Sequence, residues 1–345
     1  MTDTHMPKNV QIVLASRPHG EPTSENFRTE TTAMPVPGDG EVLLRTVFLS
    51  LDPYMRGRLS DAKSYVPPFE VDAPLTAGSV CEVIESRSDD FAAGDIVLGF
   101  TGWSTYAVAP AKTLRKLDPQ GVPLSTALGV LGMPGFTAYA GLAEIGHPKE
   151  GETVVVAAAT GPVGSMVGQL AQRAGARAVG IAGGPEKCAY LNEIGFDVAI
   201  DHRSPTFVAD LKAATPGGID VYFENVGGAV WDAVLPRLND FARVPVCGVI
   251  AHYNDTEAPT GPDRMPALMG SILRKRIRIQ GFIQSDFASH LGDFHRTIGP
   301  LVADGTIKYR EDVVQGLESA PTAFIGMLTG SNFGKLVVQV GDAPA

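Results

Sequence analysis

Cysteine is scarce in this chain. Its 345 residues include three, Cys81, Cys188 and Cys247, widely spaced and without a CxxC pair. That excludes a dense disulfide framework and a four-cysteine zinc lobe, and it fits a reducing compartment. Histidine is thin as well: His 5, 19, 147, 202, 252, 290 and 295 make no HxxxH or HExxH pairing. No resident metal is expected. No run reaches the roughly eighteen uninterrupted apolar residues of a membrane helix, and residues 1–11 are polar, without a signal-peptide core. The expectation is a cytoplasmic protein with no membrane partner. Positive charge is in deficit, 28 Lys and Arg against 38 Asp and Glu, net −10, which argues against a nucleic-acid partner. The one basic run, Arg274-Lys275-Arg276-Ile277-Arg278, reads as a solvated helix end or strand edge, with help for an anionic ligand as the alternative. There is no internal repeat and no low-complexity tract. Length and an apolar share of 44 % suit two domains with a large core.

The most informative stretch is Ala157-Ala158-Ala159-Thr160-Gly161-Pro162-Val163-Gly164-Ser165. An apolar strand precedes it and a helically periodic segment, Met166–Ala174, follows. Strand, glycine turn and helix in that order make a phosphate-binding start, with Gly161 and Gly164 letting backbone approach a pyrophosphate. Ala159 stands where the usual fingerprint has its first glycine.

About twenty residues on, an NAD site carries a carboxylate for the ribose 2′-hydroxyl. Here the strand Ala178–Ala182 ends at Gly183-Gly184-Pro185-Glu186-Lys187. A carboxylate facing a 2′-phosphate would be repelled by about 4 kcal/mol per charge pair at about 4 Å and an effective dielectric of about 20. Gly183 removes that penalty and Lys187 offers a cation, so NADP(H) is the expected cofactor. Glu186 has two readings, a helix-dipole residue behind Pro185 or a ribose ligand.

Residues 8–125 read as short strands divided by Gly and Pro, a β-barrel-like pattern. Strands are expected at Glu41–Leu51, with Val42, Leu44, Thr46 and Phe48 on one face, and at Gly78–Glu85, Asp95–Gly99 and Ser104–Val108. Helices are expected at Leu124–Leu131 and from Met133. Strands at Thr153–Ala158, Ala178–Ala182, Asp197–Ile200, Asp220–Glu224, Val244–Val249 and Ile277–Ile283 then alternate with helices. That pattern is α/β, a doubly wound six-stranded parallel Rossmann sheet. A helix, Ser319–Thr329, and a strand, Lys335–Val340, close the chain, and the strand is expected to return to the first domain. The organisation is then residues 1–125 with 312–345 around an inserted nucleotide domain, 126–311.

Several motifs follow one another along the chain: Ser50-Leu51-Asp52-Pro53-Tyr54-Met55-Arg56, Gly132–Tyr139, the Ala159–Gly168 loop and helix, Phe223-Glu224-Asn225-Val226-Gly227-Gly228, Gly248–Asn254 and Gly326–Lys335. In this order they resemble the medium-chain dehydrogenase/reductase superfamily, and more narrowly its zinc-independent branch of leukotriene 12-hydroxydehydrogenases, prostaglandin reductases and 2-alkenal or curcumin double-bond reductases. The resemblance implies a GroES-like first domain and a homodimer. It implies that Gly161, Pro162, Val163 and Gly164 hold the pyrophosphate and Lys187 the 2′-phosphate. Asn225, Cys247, Gly248, Val249, Tyr253, Phe282, Ile283 and Asn332 would line the nicotinamide side, and Tyr54 would face the substrate. Asn225 is also placed there by the sequence, just past the fourth strand at the sheet's carboxyl edge. The family often has a tyrosine beside the 2′-phosphate where this chain has His202, followed by Arg203. Both could bind phosphate or form a surface turn; in the first case cofactor affinity rises at lower pH.

Alcohol oxidation in the zinc-dependent relatives uses a Lewis acid to stabilise an alkoxide, and its Cys, His and Glu ligands are not apparent here. Reduction of a double bond conjugated to a carbonyl needs only one or two hydrogen-bond donors for the enolate. The expected donor is Tyr253, a phenol protonated at pH 7, with the nicotinamide ribose 2′-hydroxyl as the second; either Tyr253 or water supplies the α-carbon proton. Packing against the cofactor is the other reading of Tyr253. Tyr54 and Tyr65, with the apolar loop Tyr65-Val66-Pro67-Pro68-Phe69, could wall a hydrophobic enone or enal pocket, while Tyr65 and Phe69 could equally be loop packing. Arg56 and Arg58 read as structural ion pairs, and Cys188 and Cys247 as buried hydrophobes. The expected activity is NADPH-dependent enone or enal reduction. A quinone reductase and a non-catalytic NADPH-binding sensor are the alternatives.

Overall fold

A computed structural model describes residues 8–118, 121–257 and 260–343. The chain forms two compact units, Met1–Leu128 with Glu311–Asn332 and Leu336–Ala345, and Gly129–Arg310 with Phe333–Lys335. Cys81, Cys188 and Cys247 are all free thiols. Among the described residues no helix is long and apolar enough to cross a membrane.

The first unit is antiparallel β structure organised by one long strand, Glu41–Ser50. This strand pairs with Thr76–Ser86, with Tyr106–Pro110 and, near its end, with Lys335–Gln339, where Val337 lies opposite Ser50. The last strand of the chain therefore returns to the first unit's sheet. Register shifts at Leu43/Leu44 and Thr46/Phe48 bend the long strand, as bulges do. They also correct the expected single apolar face. Val42 and Leu44 pack with Cys81, Val83 and Val97. Phe48 turns instead toward Val80, Leu128 and Val337. Leu49 joins a third core, where Trp103 stacks on Phe27 at 6.1 Å and Phe324, from helix Ala320–Leu328, meets Trp103 edge-on.

The second unit is a six-stranded parallel sheet in the order third, second, first, fourth, fifth, sixth. This is the doubly wound order, which brings all carboxyl ends to one edge. The inner strands Thr153–Ala157, Arg177–Ala182 and Ile219–Phe223 are buried almost throughout, so their sequences are near-continuous apolar runs. The sixth strand, Arg278–Gly281, is an edge and carries polar residues. The basic run before it is a helix end: Arg274 and Lys275 lie in the last turn of Met265–Lys275, and Arg276 caps it with φ +51° and pairs Asp240 at 2.6 Å.

Two further expectations are corrected. Leu124–Leu131 is not an α-helix; a 3-10 turn covers Leu124–Leu128, with the Thr126 hydroxyl bonded to the Pro123 carbonyl, and Gly129 and Gly132 follow. The fifth strand runs Leu238–Val246 rather than Val244–Val249, so Cys247, Gly248 and Val249 lie in the loop beyond it. Its early half is hidden in the sequence because it bulges. Ile219 faces Leu238 but Val221 already faces Arg243, and Phe241 takes φ +62°.

Helix Pro162–Arg173 is packed tightly at Gly168, where a Cβ would stand 1.9 Å from the Phe196 ring. In an open helix Gly168→Ala would stabilise by about 1 kcal/mol. Here overpacking against Phe196 is expected to dominate and to cost about 1–3 kcal/mol. Urea unfolding measures the sign, and a raised midpoint would refute this packing account.

Candidate cofactor and active site

The turn after the first strand of the parallel sheet carries the phosphate-binding geometry. Ala158 takes φ +50°, while Ala159, in the place of the missing glycine, is fully buried and bonds its N–H to Ile181 O at 3.0 Å. The turn thus puts its left-handed residue one position earlier than the fingerprint suggests. A Cβ at Gly164 would lie 2.5 Å from Ala158 O, so the helix can start this close to the turn only with glycine. No side chain caps that helix at Gly161, and its first backbone bond is Ser165 N–H to Gly161 O. The Val163 and Gly164 N–H groups therefore point out of the helix start, as an anion site requires.

The ends of the second and third strands meet beside it. A Cβ at Gly183 would stand 2.9 Å from Arg203 Nε and 3.0 Å from His202 Nε2, so both side chains converge over the glycine. Burial lowers the His202 pKa, and the nearby Arg203 and Lys187 charges lower it further against the pull of Asp201. Asp201, which the sequence reading passed over, would seem a poor neighbour for a phosphate. Its Oδ1 accepts N–H bonds from Gly184 at 2.8 Å and Arg203 at 2.9 Å, and those bonds hold its pKa down. The carboxylate is spent on shaping this loop. Lys187 lies in helix Pro185–Glu193 with Nζ 6.0 Å from the Phe333 ring. Arg310 stacks on the same ring at 3.8 Å. Glu186 sits in the first helical turn, where its charge complements the helix dipole.

The fourth and fifth strands end in a second cluster. Glu224 is 3 % exposed, and its Oε1 accepts from Val226 N–H at 2.7 Å, Gly227 N–H at 2.9 Å and the Tyr222 hydroxyl at 3.0 Å. Burial still leaves its pKa raised. Its backbone oxygen accepts from Cys247 and Gly248. Asn225 donates from Nδ2 to Ala157 O at 2.8 Å, fastening this loop to the first strand. Tyr253 follows a 3-10 turn, Ile250–His252, and its hydroxyl lies 3.1 Å from where a Gly248 Cβ would stand. Burial pushes the Cys247 thiol up to about 12, which removes it as a nucleophile at neutral pH. Phe282 is buried edge-on against Phe223, so its side chain belongs to the core and its backbone is the part left to face a ligand.

The second unit thus brings together the phosphate turn, the Gly183, Lys187, His202 and Arg203 group, and Asn225 with the Cys247–Tyr253 loop. Tyr54, Tyr65 and Asn332 belong to the first unit. There, burial and the Asp52 charge raise the Tyr54 pKa, and Arg58 hydrogen-bonds its hydroxyl. Arg58 is structural, but its partners are Pro67 O and Thr76 Oγ1, both at 2.9 Å, and the Phe69 ring at 3.9 Å, rather than a carboxylate. Arg56 donates to Gly20 O at 2.6 Å. Phe69 is 3 % exposed in the core and Tyr65 is 63 % exposed. Among the described residues no three His, Cys, Asp or Glu side chains group as metal ligands do.

Residues 10–117 match a model described as the N-terminal domain of oxidoreductase, and residues 162–298 one described as zinc-binding dehydrogenase. The chain is 55 % identical over 338 residues to the NADPH-dependent curcumin reductase of Escherichia coli (strain K12), covering 97 % of this chain and 98 % of that one. It is 42 % identical to the 2-alkenal reductase (NADP(+)-dependent) of Nicotiana tabacum, covering 96 % and 97 %. The crystal structure of CurA in complex with NADPH from Vibrio vulnificus superposes with a TM-score of 0.94 at 54 % identity, over 97 % of this chain and all of that one.

Arg203→Ala is expected to weaken NADPH binding about tenfold and leave NADH binding unchanged. His202 is held neutral at pH 7, so a bound 2′-phosphate must supply the drive to protonate it. NADPH affinity should then rise, relative to His202→Asn, as pH falls from about 8 to about 5.5. The variant is the needed reference because the phosphate itself titrates near about pH 6. Titration calorimetry giving parallel pH curves would remove the His202 charge from cofactor recognition.

Proposed function

Because the chain belongs to the zinc-independent branch of the medium-chain dehydrogenase/reductase superfamily, we propose that it reduces the carbon–carbon double bond of α,β-unsaturated ketones or aldehydes with NADPH. It is an NADP-dependent oxidoreductase, as its curcumin and 2-alkenal reductase relatives are. The single observation that carries the finer reading is the Tyr253 hydroxyl held over Gly248 at the carboxyl edge of the sheet.

The bound nicotinamide supplies a hydride to the substrate β-carbon. The chain's own residues then have three tasks. Val163 and Gly164 N–H groups, with Gly161 and Pro162 shaping the turn, hold the pyrophosphate. Gly183, Lys187, His202 and Arg203 hold the 2′-phosphate and favour NADPH over NADH. Tyr253 donates a hydrogen bond to the carbonyl oxygen as it becomes an enolate, and it or water protonates the α-carbon. Asn225, Cys247, Gly248, Val249, Phe282, Ile283 and Asn332 take the nicotinamide-side role, and Tyr54 and Tyr65 the substrate-side role, on the family pattern. A hydrophobic enone or enal is the substrate class. A homodimer and a cytoplasmic setting belong to the same reading; the sixth strand, paired on one side among the described residues, suits isologous pairing.

Tyr253→Phe is expected to lower kcat at least about tenfold, with NADPH binding within about twofold of the parent. NADPH oxidation followed with an aryl enone, a medium-chain alkenal and a quinone tests the substrate class. Turnover of the quinone alone would replace this reading with a quinone reductase. Tight NADPH binding without turnover of any acceptor would replace it with a sensor.

A further inference from the structure

His252 stands next to Tyr253 and has work of its own. Its Nε2 accepts the Gly228 N–H at 3.1 Å, and its Nδ1 lies 2.8 Å from Asp255 Oδ2. The two contacts require one tautomer. Nε2 must be bare to accept, so Nδ1 carries the proton and donates it to Asp255. The ring therefore bridges the loop after the fourth strand to the turn that carries Tyr253. Two backbone bonds run beside this bridge, Ile250 N–H to Asn225 O at 3.2 Å and Ala251 N–H to Val226 O at 2.9 Å. The packing is close: a Cβ at Gly227 would stand 3.0 Å from His252 Cδ2, and one at Gly228 3.3 Å from Ala251 Cβ.

We propose that His252 is a positioning residue for Tyr253, its bare Nε2 clasping Gly228 N–H so that the Tyr253 hydroxyl stays over Gly248. This rests on the reading of Tyr253 as the donor to the enolate. The clasp is open to solvent, with 41 % of the His252 side chain exposed. The charges around it are few. On its own segment there is Asp255. On the facing loop, the Glu224 carboxylate is turned under Val226 and Gly227, and in helix Gly228–Val234, Asp232 pairs with Arg264.

Three variants of the full chain test this: His252→Ala, His252→Gln and Tyr253→Phe. Gln can reach Gly228 with an amide oxygen and has no proton to gain. Backbone amide exchange at Gly228 and steady-state kinetics with an aryl enone are measured at about pH 7. His252→Ala should speed Gly228 exchange about tenfold and lower kcat about fivefold, with the KM for NADPH within about twofold. His252→Gln should restore both. Unchanged Gly228 exchange in His252→Ala would overturn the clasp whatever the activity. Faster exchange with unchanged kcat would overturn the positioning role. If Tyr253→Phe keeps full kcat, the donor reading and the role built on it fall together, and the amide measurement still reports separately on the clasp.

Discussion

The carboxyl edge of the parallel sheet depends on one buried carboxylate. Glu224 directly follows the fourth strand, and through side chain and backbone together it receives the amides of Val226, Gly227, Cys247 and Gly248. Asn225 beside it holds Ala157 O, at the end of the first strand. Three strand ends are thereby fixed to one another by two adjacent residues. Taking a carboxylate out of water is costly, and the raised pKa of Glu224 says that its donors offset that cost only in part. An apolar residue there would leave the Val226 and Gly227 amides buried without an acceptor, which costs about 1–3 kcal/mol for each group. The charge is kept because loops that turn away from a sheet edge carry amides that the sheet itself no longer satisfies.

The cofactor end solves a different problem. A 2′-phosphate needs cations close together, and cations close together repel. Burial is the larger cause of the lowered His202 pKa, and the Arg203 and Lys187 charges add that repulsion to it. Two arrangements relieve it. Asp201 spends its charge on backbone amides directly beneath the loop, and Phe333 offers a ring face within reach of both Arg310 and Lys187. Gly183 supplies the remaining requirement, which is room: the His202 and Arg203 side chains occupy the space a side chain at 183 would need.

Much of this was readable from spacing. The six parallel strands, the glycine turn, the cation at Lys187 and the return of the last strand all follow from local pattern, because burial on both faces writes itself as continuous apolar runs. What escaped was non-local. The first half of the fifth strand hides behind a bulge at Phe241, and the bent long strand of the first unit breaks its own alternation at Phe48. Glu224 and Asp201 look like loop acids in sequence, since only the fold reveals which amides turn toward them. The His252 and Asp255 pair is legible as a close spacing, but its meaning requires Gly228, which is 24 residues away.

The two ends of this edge should also differ in how freely they can change. His202 and Arg203 are exposed. On the proposed cofactor role, substituting them would alter cofactor choice with small effects on stability, since surface charges contribute little to folding. The Tyr253 end is held by backbone bonds among Glu224, Asn225, Val226, Cys247, Gly248, Ile250 and Ala251. A change there alters several bonds at once, so geometry and stability move together. On the proposed roles, cofactor preference is therefore a separable property of this fold, whereas the placement of Tyr253 is not. The same backbone bonds that place the Tyr253 phenol also tie it to the folding of three strand ends.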